Sequence, residues 1–220
     1  MVKPKNSFKF YAMLALFLSL LVFLSGFSIG FLVNDFKQKS ISSDLSNIMK
    51  LIESNEVEIA LMNFLDDEIS CEYLNLRVGS INQEVHELGL RVSAYEGANS
   101  VLTEEYYSIK KSYINALINN WINVEKARNL CSLNYSTILY LYALKEDCPR
   151  CEEQVYALSR IKSQYGIDSL IYSIDTTLEL EAVNMLMYSY NISAFPSLVI
   201  NGKTHSGYAS SQRIRELMGQ

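Results

Sequence analysis

The sequence predicts an α/β domain of order β-α-β-α-β-β-α over residues 135–220, preceded by an N-terminal transmembrane helix and an α-helical hairpin. Three observations carry this reading. Phe10 to Val33 contains no charged residue. The only prolines are Pro4, Pro149 and Pro196, so none breaks a helix between residues 5 and 148. Beyond residue 134, short β-rich runs alternate with helical patterns, as in an α/β layer arrangement. The boundaries expected are 1–34 for the anchor with its basic tail, 35–134 for the helical region and 135–220 for the α/β domain.

Composition narrows the classes. Hydrophobic residues make up 49% of the 220, enough for a packed core and too many for disorder as the main state. Nineteen basic residues stand against 24 acidic ones, a net charge of -5. With no basic cluster, nucleic acid is excluded as a partner, because neutralising phosphates takes Lys and Arg in number.

Phe10 to Val33, 24 residues, would span ~36 Å as a helix, enough for a hydrocarbon core of ~30 Å. A cleaved signal peptide is the competing reading, since Ser28 and Gly30 are small enough for a cleavage site. Lys3, Lys5 and Lys9 precede the segment, and Lys37, Lys39 and Lys50 follow it. The short basic tail favours the amino terminus inside and the bulk of the chain outside the cytoplasm, single-pass.

The helical region comes next. Ile41, Leu45, Ile48 and Ile52 form an apolar stripe, and Asn55 with Glu58 reads as a cap opening a short helix through Phe64. Cys71, Leu74, Val78, Ile81, Val85, Leu88 and Val92 alternate at three and four, a seam for a partner helix. Glu96 to Ser100 is a turn signal, with Ser100 placed to cap the returning helix. That helix puts Tyr106, Ile109, Tyr113, Leu117, Trp121, Val124 and Cys131 on one face. An antiparallel hairpin about residue 101 sets Cys71 opposite Cys131, which predicts a structural disulfide. Two buried free cysteines are the alternative. The hairpin itself reads equally as a spacer, a docking surface or a coiled coil forming a homodimer.

In the last part, strands are expected at Thr137 to Ala143, Asp168 to Ile174, Ser197 to Asn201 and Lys203 to His205. The last two join at Asn201-Gly202, a hairpin signal. Helices are expected from Pro149 to about Ser163, Leu178 to Tyr190 and Ser210 to Met218, with Gly166 as a stop.

Cys148-Pro149-Arg150-Cys151 falls where the first strand hands over to the first helix. A helix start stabilises an anion, and the thiolate is the reactive form of cysteine. Pro149 fits a first turn, Arg150 adds a positive charge beside the sulfur, and Cys151 faces the same way, within reach for a disulfide. Half of a zinc site is the rival chemistry, but it needs a second ligand pair; there is no second C-x-x-C, and His86 and His205 are isolated. The pattern points to redox work by Cys148 and Cys151, with no metal and no cofactor; an inert structural pair is the remaining alternative.

On that C-P-x-C and on Ile192-Ser193-Ala194-Phe195-Pro196-Ser197-Leu198-Val199-Ile200-Asn201-Gly202-Lys203, residues 135–220 resemble the thioredoxin-like superfamily, closest to its glutaredoxin-sized members. The resemblance implies a thioredoxin-like fold, a cis Pro196 beside the active disulfide and Phe195 as the substrate-facing position. Gly207 fits the ending of such domains. It also implies Cys148 as the exposed attacking thiolate and Cys151 as the buried resolving partner. Thioredoxins proper carry a buried acid on the first strand, where this chain has Tyr140, Leu141 and Tyr142. The proton acceptor expected is therefore Glu146, Asp147, Glu152 or water.

The function expected is a membrane-anchored thiol-disulfide oxidoreductase. Its partners would be protein thiols and disulfides, a membrane redox partner that resets the pair, and the lipid bilayer. The alternative is a non-catalytic, membrane-tethered scaffold that uses the same domain as a binding module.

Overall fold

With no proline to interrupt it, the first part of the chain forms three long helices, α1 (Ser7–Met62), α2 (Asp67–Gly97) and α3 (Glu104–Cys131). A computed structural model describes residues 7–62, 64, 67–97, 104–131 and 133–219. The cap expected at Asn55 is not used: Asn55 and Glu58 lie inside α1. No proline or glycine occurs between Gly30 and Gly79, so nothing at Asn55 outweighs continued helix propagation. Of the turn expected at Glu96 to Ser100, Glu96 and Gly97 still belong to α2, and Ala98 to Ser100, with the cap, lie outside the described residues.

By their contacts the residues fall into two compact units, 1–44 and 45–220. In the first, Phe10–Val33 has a mean hydropathy of 2.4 and every side chain exposed, and it is long and apolar enough to cross a membrane. The Ser25 and Ser28 hydroxyls donate back to the Val22 and Leu24 carbonyls, at 2.9 and 2.8 Å, so neither is left unsatisfied in an apolar surrounding.

In the second unit, α2 and α3 pack against each other through the expected seam; Val78, Val85, Leu88 and Val92 are buried, as are Ile109, Leu117, Trp121 and Val124. The Cys71–Cys131 disulfide ties the start of α2 to the end of α3, with Cα atoms 5.3 Å apart. The α/β part follows as β1 (Ser136–Tyr142), α4 (Cys151–Tyr165), β2 (Ser169–Asp175), α5 (Glu181–Ser189), β3 (Ser197–Ile200), β4 (Lys203–Ser206) and α6 (Ser211–Met218). Single 3₁₀ turns at Gly166–Asp168 and Thr176–Leu178 flank β2.

The sheet is mixed, in the order β2-β1-β3-β4. β1 runs parallel to β2, the crossover being α4, and antiparallel to β3. Asn201 and Gly202 both take positive φ, 50° and 79°, which is what a two-residue hairpin turn requires between β3 and β4. Each strand residue faces one side or the other, so the sheet buries two cores. Ile138, Tyr140, Leu198 and Ile200 pack with Leu158 and Ile161 of α4 and Ile214 of α6. Leu139, Leu141, Tyr172 and Val199 pack on the other face with Val183 and Leu186 of α5 and with Leu117, Trp121 and Val124 of α3. The hairpin core therefore runs into the sheet core across residue 134. α3 is fastened to the sheet by polar bonds as well: Thr137 donates to Glu125, and Lys110 pairs with Asp175 at 2.7 Å.

Candidate functional site

β1 ends at Tyr142, and the chain turns through residues 143–150 before α4 begins. The Asp147 and Cys148 amides both donate to the Leu144 carbonyl, at 3.0 and 2.9 Å, which curls this loop over the sheet end. Cys148 and Cys151 are joined as a disulfide, their Cα atoms 5.4 Å apart. Regular helix starts at Cys151, with Arg150 in the cap position, so Pro149 stands just outside it. The antiparallel register sets Ser197 opposite Leu141, which brings Phe195 and Pro196 to the same end of the sheet as the cysteine loop. The Phe195–Pro196 peptide bond is cis, and Pro196 is buried while Phe195 is half-buried.

The exposure expected of the two sulfurs is reversed. In this disulfide-bonded state Cys148 is 2% exposed, whereas Cys151 is half-buried. The cause is the loop: two hydrogen bonds to one carbonyl fold the backbone tightly around Cys148, while Cys151 sits on the first, outward-rising turn of α4.

Arg150 also departs from its expected role as a free charge beside the sulfur. Its guanidinium lies over the ring of Tyr208, 3.9 Å from the centroid, and pairs with Glu153 at 2.8 Å. That hydrogen bond raises the Arg150 pKa and holds the Glu153 carboxyl below its ordinary range.

Tyr208 itself belongs to a three-residue strap. The Gly207 amide donates to the Pro196 carbonyl at 2.8 Å. Next to it, Gln154 of α4, fully buried, grips both backbone groups of Ala209, accepting from its N–H at 2.8 Å and donating to its C=O at 3.2 Å. Gly207 to Ala209 thus connects the proline wall to the helix that carries Cys151. Gly207 takes φ of 82°, which only glycine adopts freely.

Of the expected proton acceptors, Glu146 and Asp147 are exposed, and Glu152 pairs at the surface with Lys145 at 3.2 Å. A polar group outside that expected set reaches the first residue of α4. Tyr140, buried on β1 and stacked on Tyr142, donates its hydroxyl to the Cys151 carbonyl at 3.1 Å. Burial pushes its pKa up to about 12, so it acts as a donor and keeps its proton. Its signal was present in the strand alternation, which aims Tyr140 at the α4 face.

Two sulfurs in this arrangement can in principle pass between a disulfide and a dithiol, a two-electron change. The second bridge, Cys71–Cys131, joins elements that precede β1, whereas this one follows it. Six strand steps, ~20 Å, separate the two ends of β1, too far for direct exchange between the bridges. No protein-family model matches the chain, and no curated protein matches it either.

Proposed function

We propose that this protein is a membrane-anchored thiol-disulfide oxidoreductase with a thioredoxin-like domain at residues 135–220. The observation that carries the reading is a C-P-x-C disulfide at a strand-to-helix handover, at the same sheet end as a cis proline. In the reducing direction the Cys148 thiolate attacks one sulfur of a client disulfide. A Cys148–client S–S bond forms and the client's other sulfur leaves as thiolate. Cys151 then attacks Cys148 Sγ, closing the protein disulfide and releasing the second client thiol, so two electrons pass to the client. The reverse sequence donates the disulfide. A membrane redox partner would return the pair to its starting state, and the bulk of the chain would face an oxidising, extracytoplasmic space, where structural bridges such as Cys71–Cys131 persist.

One observation favours the rival reading of a binding module with an inert bridge, namely the burial of Cys148. Turnover decides between them. Full-length protein in detergent should reduce a client disulfide, or oxidise a reduced client, and Cys148→Ser should abolish both. A rate unchanged by Cys148→Ser would defeat the enzyme reading. The reduction potential of the pair then assigns the direction of electron flow.

A further inference from the structure

Beside the cysteine site, α4 and α6 stand next to each other and leave a groove between them. It consists of two adjoining hollows of about 570 and 560 Å³ that share Arg160, Ser163, Tyr208 and Ser211. The groove begins at Glu153 and Tyr208, the two residues that hold Arg150 of the C-P-x-C segment. From there Glu153, Tyr156, Arg160 and Ser163 recur on successive turns of α4, and the far end is closed by Gln164 and Arg215. From Cys151 to Arg160 the helix rises ~14 Å, the reach of about four residues of extended chain.

Charge distinguishes this groove from the rest of the surface. Its one lining carboxylate, Glu153, is already paired with Arg150. Among the described residues no carboxylate pairs with Arg160, which is exposed, and Arg215 bonds only to the neutral Gln164, at 3.3 Å. Arg213, on the same helix, is matched by Glu216. Two uncompensated guanidinium groups thus line a groove on a chain whose net charge is -5. Both present planar forks suited to carboxylates. Tyr156, 74% exposed beside them, offers an aromatic ledge to the same occupant.

We infer that this groove binds an extended, acidic segment of a client polypeptide, a proposal that rests on the redox reading for its purpose but not for its measurement. The segment lies along α4 with acidic side chains at Arg160 and Arg215, four or five residues from the cysteine presented to the Cys148–Cys151 pair. The groove thereby selects clients by sequence around the reactive thiol.

The test uses full-length protein in detergent and fluorescent peptides in which serine replaces the reactive cysteine, so that binding is read without turnover. A peptide with Glu four and five residues from that serine should bind about tenfold more tightly than its Lys counterpart, and 0.5 M salt should erase most of the difference. Arg160→Glu with Arg215→Glu should abolish the preference while circular dichroism stays unchanged. Turnover supplies a separate arm: with cysteine peptides the double variant should raise KM for the acidic peptide and leave kcat, and the reduction of a small uncharged disulfide, as in the wild type. Equal binding of acidic and basic peptides would overturn the proposal, as would a preference that survives in the double variant. Tighter binding of a single-stranded oligonucleotide than of the acidic peptide would overturn the polypeptide assignment. Selective binding without turnover on any disulfide would uphold the groove and defeat the redox reading instead.

Discussion

A Cβ built at Gly89 would stand 2.5 Å from the hydroxyl oxygen of Tyr113 and 3.2 Å from the ring carbon that bears it. In a helix interior glycine costs about 1 kcal/mol against alanine, but the added methyl forces the tip of the Tyr113 side chain to move aside. Gly89→Ala should therefore gain less stability than helix propensity alone gives, and the penalty from the contact should shrink when Tyr113→Phe removes the hydroxyl. Urea unfolding of the four members of that cycle checks it, and an equal penalty in both backgrounds would refute the contact. The sequence shows Gly89 only as a break in an apolar seam, because a seam says which faces meet and not how near. The same limit applies at the cysteines. The spacing of Cys148 and Cys151 is legible, but their relative burial depends on how two amides curl onto Leu144, which no pattern encodes. Arg150 and Glu153, three apart on one helix face, form a pair that spacing makes readable; Tyr208, nearly sixty residues on, is not.

At the level of elements, the punctuation was decisive. Gly166 ends α4, Asn201-Gly202 turns β3 into β4, and Ser210 caps α6 by accepting from the Arg213 amide at 3.2 Å. Where no such residue intervened, at Asn55, a cap signal alone did not stop a helix. What sequence could not place was α3 against the sheet, since an apolar face does not say whether a helix, a sheet or both will cover it. Lys110 and Asp175 secure that placement. Burial pushes the Asp175 carboxyl up, but hydrogen bonds from Lys110 and Thr177 outweigh it and leave the pKa below its ordinary value. A carboxyl depressed in the folded state stabilises above its unfolded pKa, roughly 3.9, and that stability is lost as pH falls through the folded value. Asp175→Asn should cost about 1–3 kcal/mol at pH 7, because a mostly buried ion pair and its charge-assisted hydrogen bonds lose their carboxylate. As pH falls through the folded value, wild type and variant should converge. A gap that persists at low pH in chemical denaturation would assign the loss to packing.

For the whole molecule, the Cys71–Cys131 bridge closes a sequence separation of 60 residues that includes nearly all of α2 and α3. In the chain-entropy treatment such a loop contributes about 4 kcal/mol. Replacing both cysteines with serine should lower the unfolding free energy by up to that amount. Because β1 holds the two bridges at opposite ends, the reduction potential of Cys148 and Cys151 should stay where it was. A shift of that potential by more than about 30 mV, a tenfold change in equilibrium, would show that the bridges communicate.

The position of α3 carries one more consequence. Val124 and Trp121 face the sheet core, and Ile109, Ala116, Ile118, Asn120, Asn123 and Ala127 are buried as well, so a broad face of the helix is shut off from water while Tyr107, Ile122 and Leu130 lie on its exposed side. Local openings start where backbone hydrogen bonds are wetted and side chains are few, as on the eight-residue α6 with its exposed outer face. α3 can open only when its neighbours do. Opening of α3 is thus tied to opening of the sheet core it covers, and the amides of its buried face should be among the slowest to exchange with solvent, although the helix lies outside the α/β part that carries the C-P-x-C pair.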